Sequence, residues 1–123
     1  MNKITKHLIF IFLGLILLTL IMYNLNKPES ASQELISFAK CLTENNVIMY
    51  GTEWCPHCKR QKEMFKSAIE HITFIDCDKS RDLCARAEVS SYPQWVKDND
   101  LSSKLLGTQS LTNLAEFSGC TFR

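Results

Sequence analysis

From Leu8 to Tyr23 every residue is apolar except Gly14 and Thr19. With Ile4 the stretch reaches about 20 residues, enough at 1.5 Å per residue to cross a hydrocarbon core. A run of this kind leaves only the chain beyond residue 30 for a globular core, which is enough for one small domain. Lys3, Lys6 and the terminal amine precede the run, and Lys27 follows it. The excess of positive charge before the run places that end in the cytoplasm and the remainder outside. A cleaved signal peptide shares the basic start, but its apolar region is usually roughly 7 to 15 residues long. The small residues Ser30, Ala31 and Ser32 also come late for a cleavage site, behind Lys27-Pro28-Glu29. No cysteine closely follows the run, which argues against a lipoprotein anchor. The expected organisation is residues 1–7 cytoplasmic, 8–24 an uncleaved transmembrane signal anchor and 25–31 a polar tether containing Pro28. Residues 32–123 then form one domain on the periplasmic or other extracytoplasmic side.

The formal net charge is +1, from 14 basic and 13 acidic residues. Setting aside Lys3, Lys6 and Lys27 leaves 11 basic against 13 acidic residues, or −2, so no basic surface for nucleic acid is expected. Six cysteines in so short a chain point to an oxidising compartment, because cytosolic proteins seldom carry so many unless they bind metal.

Leu35, Ile36, Phe38, Ala39 and Leu42 fall at helical spacing, predicting a helix from about Ser32 to Thr43 that stops at Asn45-Asn46. Val47-Ile48-Met49-Tyr50 reads as a strand buried on both faces and ended by Gly51. A helix is predicted from Pro56 to about His71, with Met64, Phe65, Ala68 and Ile69 on its apolar side; proline suits its first position. Ile72–Ile75 reads as a strand and Arg81–Ala87 as a short helix. Gln94-Trp95-Val96 and Lys104-Leu105-Leu106 form a hairpin around Asp98-Asn99-Asp100. Ser110 caps a last helix that runs through Phe117 and ends at Gly119.

Cys55-Pro56-His57-Cys58 sits where the first strand gives way to a helix. The thiolate is the nucleophile of disulfide exchange, and unsatisfied N–H groups with the positive end of the helix dipole stabilise it at a helix start. Cys58 lies one turn on, close enough to close a disulfide with Cys55 and to resolve a mixed disulfide formed there. His57 offers the Cys55 thiolate a hydrogen bond or a positive charge. Stabilising the reduced form makes the disulfide a stronger oxidant. The competing reading is a four-cysteine zinc site with Cys77 and Cys84, but their C-x6-C spacing is not a second tight knuckle, and no metal is expected. Exchange between sulfurs needs no cofactor.

Trp54-Cys55-Pro56-His57-Cys58-Lys59 at such a junction, with Ser91-Tyr92-Pro93 ahead of a hairpin, resembles the thioredoxin superfamily over nearly all of residues 32–120. The resemblance implies an α/β, thioredoxin-like fold, a central mixed sheet flanked by helices, here preceded by one N-terminal transmembrane helix. It implies that Pro93 is cis and faces the dithiol, with Tyr92 beside it in the substrate groove. Trp54 and Trp95 are each open to groove or core, and Trp54 is placed with the groove. A closer set of motifs is Phe38-Ala39-Lys40, Met49-Tyr50-Gly51, Trp54 to Cys58, Asp76-Cys77-Asp78 and Leu83-Cys84. It continues with Tyr92-Pro93-x-Trp95 and Gly107-x-Gln109-Ser110-Leu111. Together these are similar to the thioredoxin-like domain fused to bacterial vitamin K epoxide reductase homologues.

That resemblance implies exchange with a multi-span quinone reductase and oxidation of cysteines in exported proteins. One span cannot build a quinone pocket, so by implication a separate membrane reductase of this type reoxidises Cys55 and Cys58. The Pro-His dipeptide is also that of DsbA-type periplasmic oxidases. Thioredoxin itself usually carries a buried acidic residue six positions before its first cysteine, where this chain has Met49, so ordinary cytosolic thioredoxin activity is not expected.

The resemblance also implies a structural disulfide between Cys77 and Cys84, with a second, electron-relaying dithiol as the alternative. Closing about eight residues stabilises a fold by roughly 2 to 3 kcal/mol. In a thioredoxin-like sheet the helices bearing Cys41 and preceding Cys120 are expected on opposite faces. A buried free thiol, a Cys41–Cys120 bridge reached by the tail wrapping round, and a bridge to another chain all stay open. His7 and His71 read as structural or solvated, and Lys59-Arg60-x-Lys62 as a solvated helix face. The leading functional expectation is a membrane-anchored oxidase. A reductase or isomerase fed by a transmembrane donor, and a non-catalytic binding module, are the alternatives.

Overall fold

The computed structural model describes residues 2–27 and 29–123. Helix α1 (Lys3–Leu25) spans 23 residues with a mean hydropathy of 2.6, and none of its side chains is buried. At 1.5 Å per residue it is about 35 Å long, sufficient for a membrane anchor or a signal sequence. Two of its polar side chains turn back onto their own helix: the Thr19 hydroxyl donates to the Ile16 carbonyl at 2.8 Å and Asn24 Nδ2 to the Leu20 carbonyl at 3.0 Å. In the segment expected as a tether, Pro28 lies outside the described residues. Glu29 and Ala31, from the same segment, are already bound to the domain. The Glu29 carbonyl accepts from the Ser67 N–H at 2.8 Å, and the Ala31 N–H donates to Ser67 Oγ at 2.9 Å.

The domain comprises α2 (Gln33–Glu44), β1 (Val47–Gly51), α3 (Pro56–Phe65), a 3-10 helix (Lys66–His71), β2 (Thr73–Asp76) and α4 (Arg81–Arg86). β3 (Gln94–Lys97), β4 (Lys104–Leu106) and α5 (Leu111–Ser118) complete it. The sheet order is β2-β1-β3-β4, with β1 and β2 parallel and the other pairings antiparallel, which is the mixed thioredoxin-like sheet expected. Met49 stands opposite Phe74 on one side and Trp95 on the other. Strand alternation sends Val47, Met49 and Trp95 to one face and Tyr50 and Val96 to the other.

The first face is covered by Leu35, Phe38, Ala39 and Leu42 of α2, Cys58 and Phe65 of α3, and Leu114 and Ala115 of α5; the second carries Cys84 and Ala87 at α4. Three helices of the domain, α2, α3 and α5, start on a cue in the sequence. Ser32 accepts from the Leu35 N–H, Ser110 accepts from the Asn113 N–H, and Pro56 occupies the first turn of α3. The hairpin turns on Asp98 and Asn99, both left-handed at φ 52° and 56°.

Two expectations are corrected. The helix predicted to run unbroken from Pro56 to His71 stops at Phe65, because Lys66 takes φ 51°, ψ −133° and the chain resumes as a 3-10 turn. Ala68 and Ile72 fall three and seven residues after Phe65, the same positions a continuous helix would bury, so apolar spacing does not register the break. The helices of Cys41 and Cys120 do not lie on opposite faces. α2 and α5 share the first face, and Gly119, left-handed at φ 79°, turns the tail back beneath α2. Cys41 and Cys120 are bonded, with Cα atoms 6.0 Å apart across 79 residues of sequence, and the Phe122 ring packs 5.0 Å from that of Phe38. No wrapping round the sheet is needed.

Candidate functional site

The strand-to-helix junction after β1 brings the dithiol, the aromatic pair and the cis proline together. Cys55 is the N-cap residue of α3, with extended backbone, and Cys58 lies one turn along. Both are free thiols; Cys55 is 6% exposed and Cys58 is fully enclosed. Room for Cys58 comes from Gly51: a Cβ at that position would run into Cys58 Sγ and would lie 3.4 Å from the Phe74 ring. Glycine is required here by close approach rather than by backbone angle.

The two sulfurs sit in opposed environments. Burial pushes the Cys55 thiol up, but the Cys58 N–H, the Cys58 thiol and the His57 N–H all bond to Cys55 and together bring it below the ordinary thiol value. Cys58 is pushed up to about 11, first by burial and further by the thiol and charge of Cys55, while the Thr52 N–H and the charge of Lys62 pull it back. This asymmetry suits Cys55 to act as a nucleophile and Cys58 to hold its proton. His57 reaches Cys55 through its main chain; its side chain is exposed, and its carbonyl accepts from the Thr108 hydroxyl at 3.3 Å.

Around this pair, Tyr92-Pro93 is cis, and the Tyr92 carbonyl accepts from Cys55 Sγ at 3.8 Å. Pro93 is buried, and its carbonyl accepts from the Gly107 N–H at 2.7 Å. Trp54 is 63% exposed, with its ring edge-on to Tyr92 at 6.4 Å and its Nε1–H donating to Asp78 at 2.7 Å. Trp95 is wholly core. Trp54 and Tyr92 thus form an aromatic ledge beside Cys55. Cys77 and Cys84 are bonded with Cα atoms 5.7 Å apart, so neither is a thiolate available to a metal. Among the described residues no three His, Cys, Asp or Glu side chains converge as a metal site.

Sequence reasoning missed two residues of α3. Gln61, fully buried, donates from Nε2 to the Gln109 carbonyl at 3.1 Å, and its Oε1 accepts from the Gln109 N–H at 2.7 Å. Its position four residues before Phe65, a polar residue on an apolar stripe, was the available signal. Lys62 leaves the solvated face expected of it. It pairs with Glu53 at 2.7 Å and lies 3.7 Å from the centre of the Phe74 ring.

A family model described as Thioredoxin matches residues 29–118. The chain is 33% identical over 100 residues to the thiol-disulfide oxidoreductase LTO1 of Arabidopsis thaliana, a match covering 74% of this chain and 26% of that protein. It is 30% identical over 105 residues to a thioredoxin domain-containing protein 5 homolog of Drosophila melanogaster, covering 76% and 25% respectively. The chain therefore spans about a quarter of the length of these relatives. Among solved structures it is similar to mitochondrial thioredoxin 3 of Saccharomyces cerevisiae in its oxidised form, with 26% identity, a TM-score of 0.49, and 69% of this chain and 88% of that one covered.

Proposed function

The chain belongs to the thioredoxin family, and on that premise we propose that it is an oxidase anchored to a membrane by α1, with its domain on the extracytoplasmic side. Thiol:disulfide exchange follows from the family and the dithiol; the proposal concerns direction, location and partners. The observation that carries it is the hydrogen bonding of Cys55, which favours its thiolate. A stabilised thiolate stabilises the reduced pair, and a stabilised reduced pair makes the disulfide a better oxidant.

In the forward reaction a thiolate of an exported protein attacks Cys55 Sγ of the Cys55–Cys58 disulfide. The bond between the two cysteines breaks, and Cys58 leaves as a thiolate and takes up a proton. A second client thiolate then attacks the client sulfur of the mixed disulfide and releases Cys55 as a thiolate. The client gains one disulfide, and the domain gains two electrons. Trp54 and Tyr92 offer the client an aromatic surface beside Cys55, and the cis Pro93 supports that edge. We assign the recharging of the pair to a quinone reductase of the vitamin K epoxide reductase type, the partner implied by the motifs this domain shares with the fused thioredoxin-like domains. Cys77–Cys84 serves as a structural bridge.

Equilibrating the chain with glutathione at neutral pH tests the direction. The expected potential lies above about −180 mV, toward the strong oxidants; a value near the −270 mV of thioredoxin would reverse the electron flow and make the protein a reductase. Cys55→Ser should abolish exchange, and if client oxidation survives in that variant the domain is a binding module instead.

A further inference from the structure

The exchange cycle makes a demand that the dithiol does not meet alone. Cys58 must carry a full negative charge each time it leaves or attacks, yet its side chain has no contact with solvent. Burying an uncompensated thiolate is costly, and an opposite charge within about 4 to 6 Å is the usual compensation.

The surroundings of Cys58 supply few candidates. Gly51 of β1 lies against its sulfur, and Phe74 of β2 also borders Gly51; neither carries a charge. The loop contributes the Thr52 N–H, and the same helix contributes Cys55, whose negative charge opposes ionisation of Cys58. Asp76, at the end of β2, is paired with Lys79 at 3.2 Å. Tyr92 and Pro93 bring no charge from the facing loop, and Lys59 and Arg60 on α3 are exposed. Lys62 stands apart. Four residues after Cys58, it shares that face of the helix, and its side chain is only 22% exposed. Its ammonium is fixed twice, by Glu53 Oε2 at 2.7 Å and by the face of the Phe74 ring at 3.7 Å. That ring borders Gly51, the residue against which the Cys58 sulfur packs.

We propose that Lys62 is a positioning residue for exchange: held by Glu53 and Phe74 one turn beyond Cys58, it supplies the positive charge that a thiolate at Cys58 requires. In the oxidising direction it stabilises Cys58 as the leaving thiolate. In the reverse direction it stabilises the same thiolate as it attacks Cys55 Sγ, displacing the partner sulfur as a thiolate while the Cys58 proton passes to solvent. Lys62 exchanges no electron or proton itself. The Lys62 charge already opposes the upward push of burial on Cys58. The proposal rests on the reading of Cys55 and Cys58 as the exchanging pair.

The test uses the full chain in detergent, reduced at the dithiol and mixed rapidly with 5,5′-dithiobis(2-nitrobenzoate). Cys55 attacks the reagent and releases one aromatic thiolate; Cys58 then resolves the mixed disulfide and releases a second. Lys62→Met should slow the second release about 10-fold at neutral pH and move its midpoint upward by about one pH unit, tenfold being equivalent to one unit. The first release should change less than about two-fold. Lys62→Arg should restore the second release to within a few-fold. An unchanged second release in Lys62→Met overturns the proposal, as does a slowing that persists undiminished above the pH at which Cys58 is ionised in both proteins, which would signal lost geometry rather than lost charge. Lys62→Gln provides the same reading if the Met variant loses its folded spectrum. Cys55→Ser is the control for the underlying reading: if it retains a fast first release, the dithiol assignment itself fails, whatever Lys62 does.

Discussion

The two faces of the sheet each hold one disulfide and one buried glutamine, but they are closed over very different spans of chain. On the face covered by α2, α3 and α5, the Cys41–Cys120 bridge joins residues 79 apart, and Gln61 clasps the main chain of Gln109, 48 residues away. On the face covered by α4, the Cys77–Cys84 bridge spans 7 residues, and Gln94 bonds to Ala87, Glu88 and Ser90, all within seven positions. The dithiol belongs to the first of these. The reactive face is thus assembled from distant pieces that must all arrive, whereas the opposite face is a local unit that can form early. Local contacts close at low entropic cost; long loops cost more, and a crosslink across one contributes correspondingly more.

The largest test of this contrast is to remove each bridge in turn. Cys41→Ala with Cys120→Ala should destabilise the chain by about 4.5 kcal/mol, and Cys77→Ala with Cys84→Ala by about 2.5 kcal/mol, on the chain-entropy model. Urea unfolding, with the slope fitted separately for each variant, would check both, and equal losses would dissolve the distinction between the faces.

Next in size is a titration confined to the reactive face. With the dithiol reduced, Cys58 holds its proton up to about pH 11 in the folded chain and only to about 9 when unfolded. The unfolded state therefore binds fewer protons between those values, and stability falls as pH rises through that window by roughly 2 to 3 kcal/mol. Cys55 has the opposite sign: lowered in the folded state, it contributes stability that is present above the ordinary thiol value and lost as pH falls. Alkaline unfolding of wild type beside Cys58→Ala isolates the first effect, since the variant should lack the loss. Tyr50, raised by burial, is common to both proteins and cancels.

The smallest test compares the glutamines. Gln61→Leu leaves the half-buried N–H and carbonyl of Gln109 without their side-chain partner and should cost about 1 kcal/mol. Hydrogen exchange should quicken around residues 107–110, whereas Gln94→Leu should loosen only residues 87–90. Spreading of the Gln94→Leu effect to the dithiol loop would show that the faces are coupled.

What was legible in the sequence follows the same division between near and far. Ser32 and Ser110 as caps, Pro56 at the start of α3 and the double-sided burial of β1 are local effects, and each appears where the residues indicated. The break at Lys66 was hidden because Phe65, Ala68 and Ile72 keep a helical spacing across it. The partnership of Cys41 and Cys120 was hidden because it depends on which face α5 covers, a property of the assembled sheet. Lys62 sat in a run of charges with nothing local to separate it from Lys59 and Arg60. Only Phe74 and Glu53, brought up by β2 and the loop, distinguish it.

The binding of Glu29 and Ala31 to Ser67 also sets a leash. Four peptide steps separate Leu25, the last residue of α1, from Glu29, and at about 3.5 Å each they reach no more than about 14 Å. If α1 is embedded in a bilayer, as proposed, the domain would patrol a thin layer against the surface, and its meetings with any membrane-resident partner would become encounters in two dimensions. The local concentration of the dithiol there is then set by the length of the leash rather than by the amount of protein in the compartment.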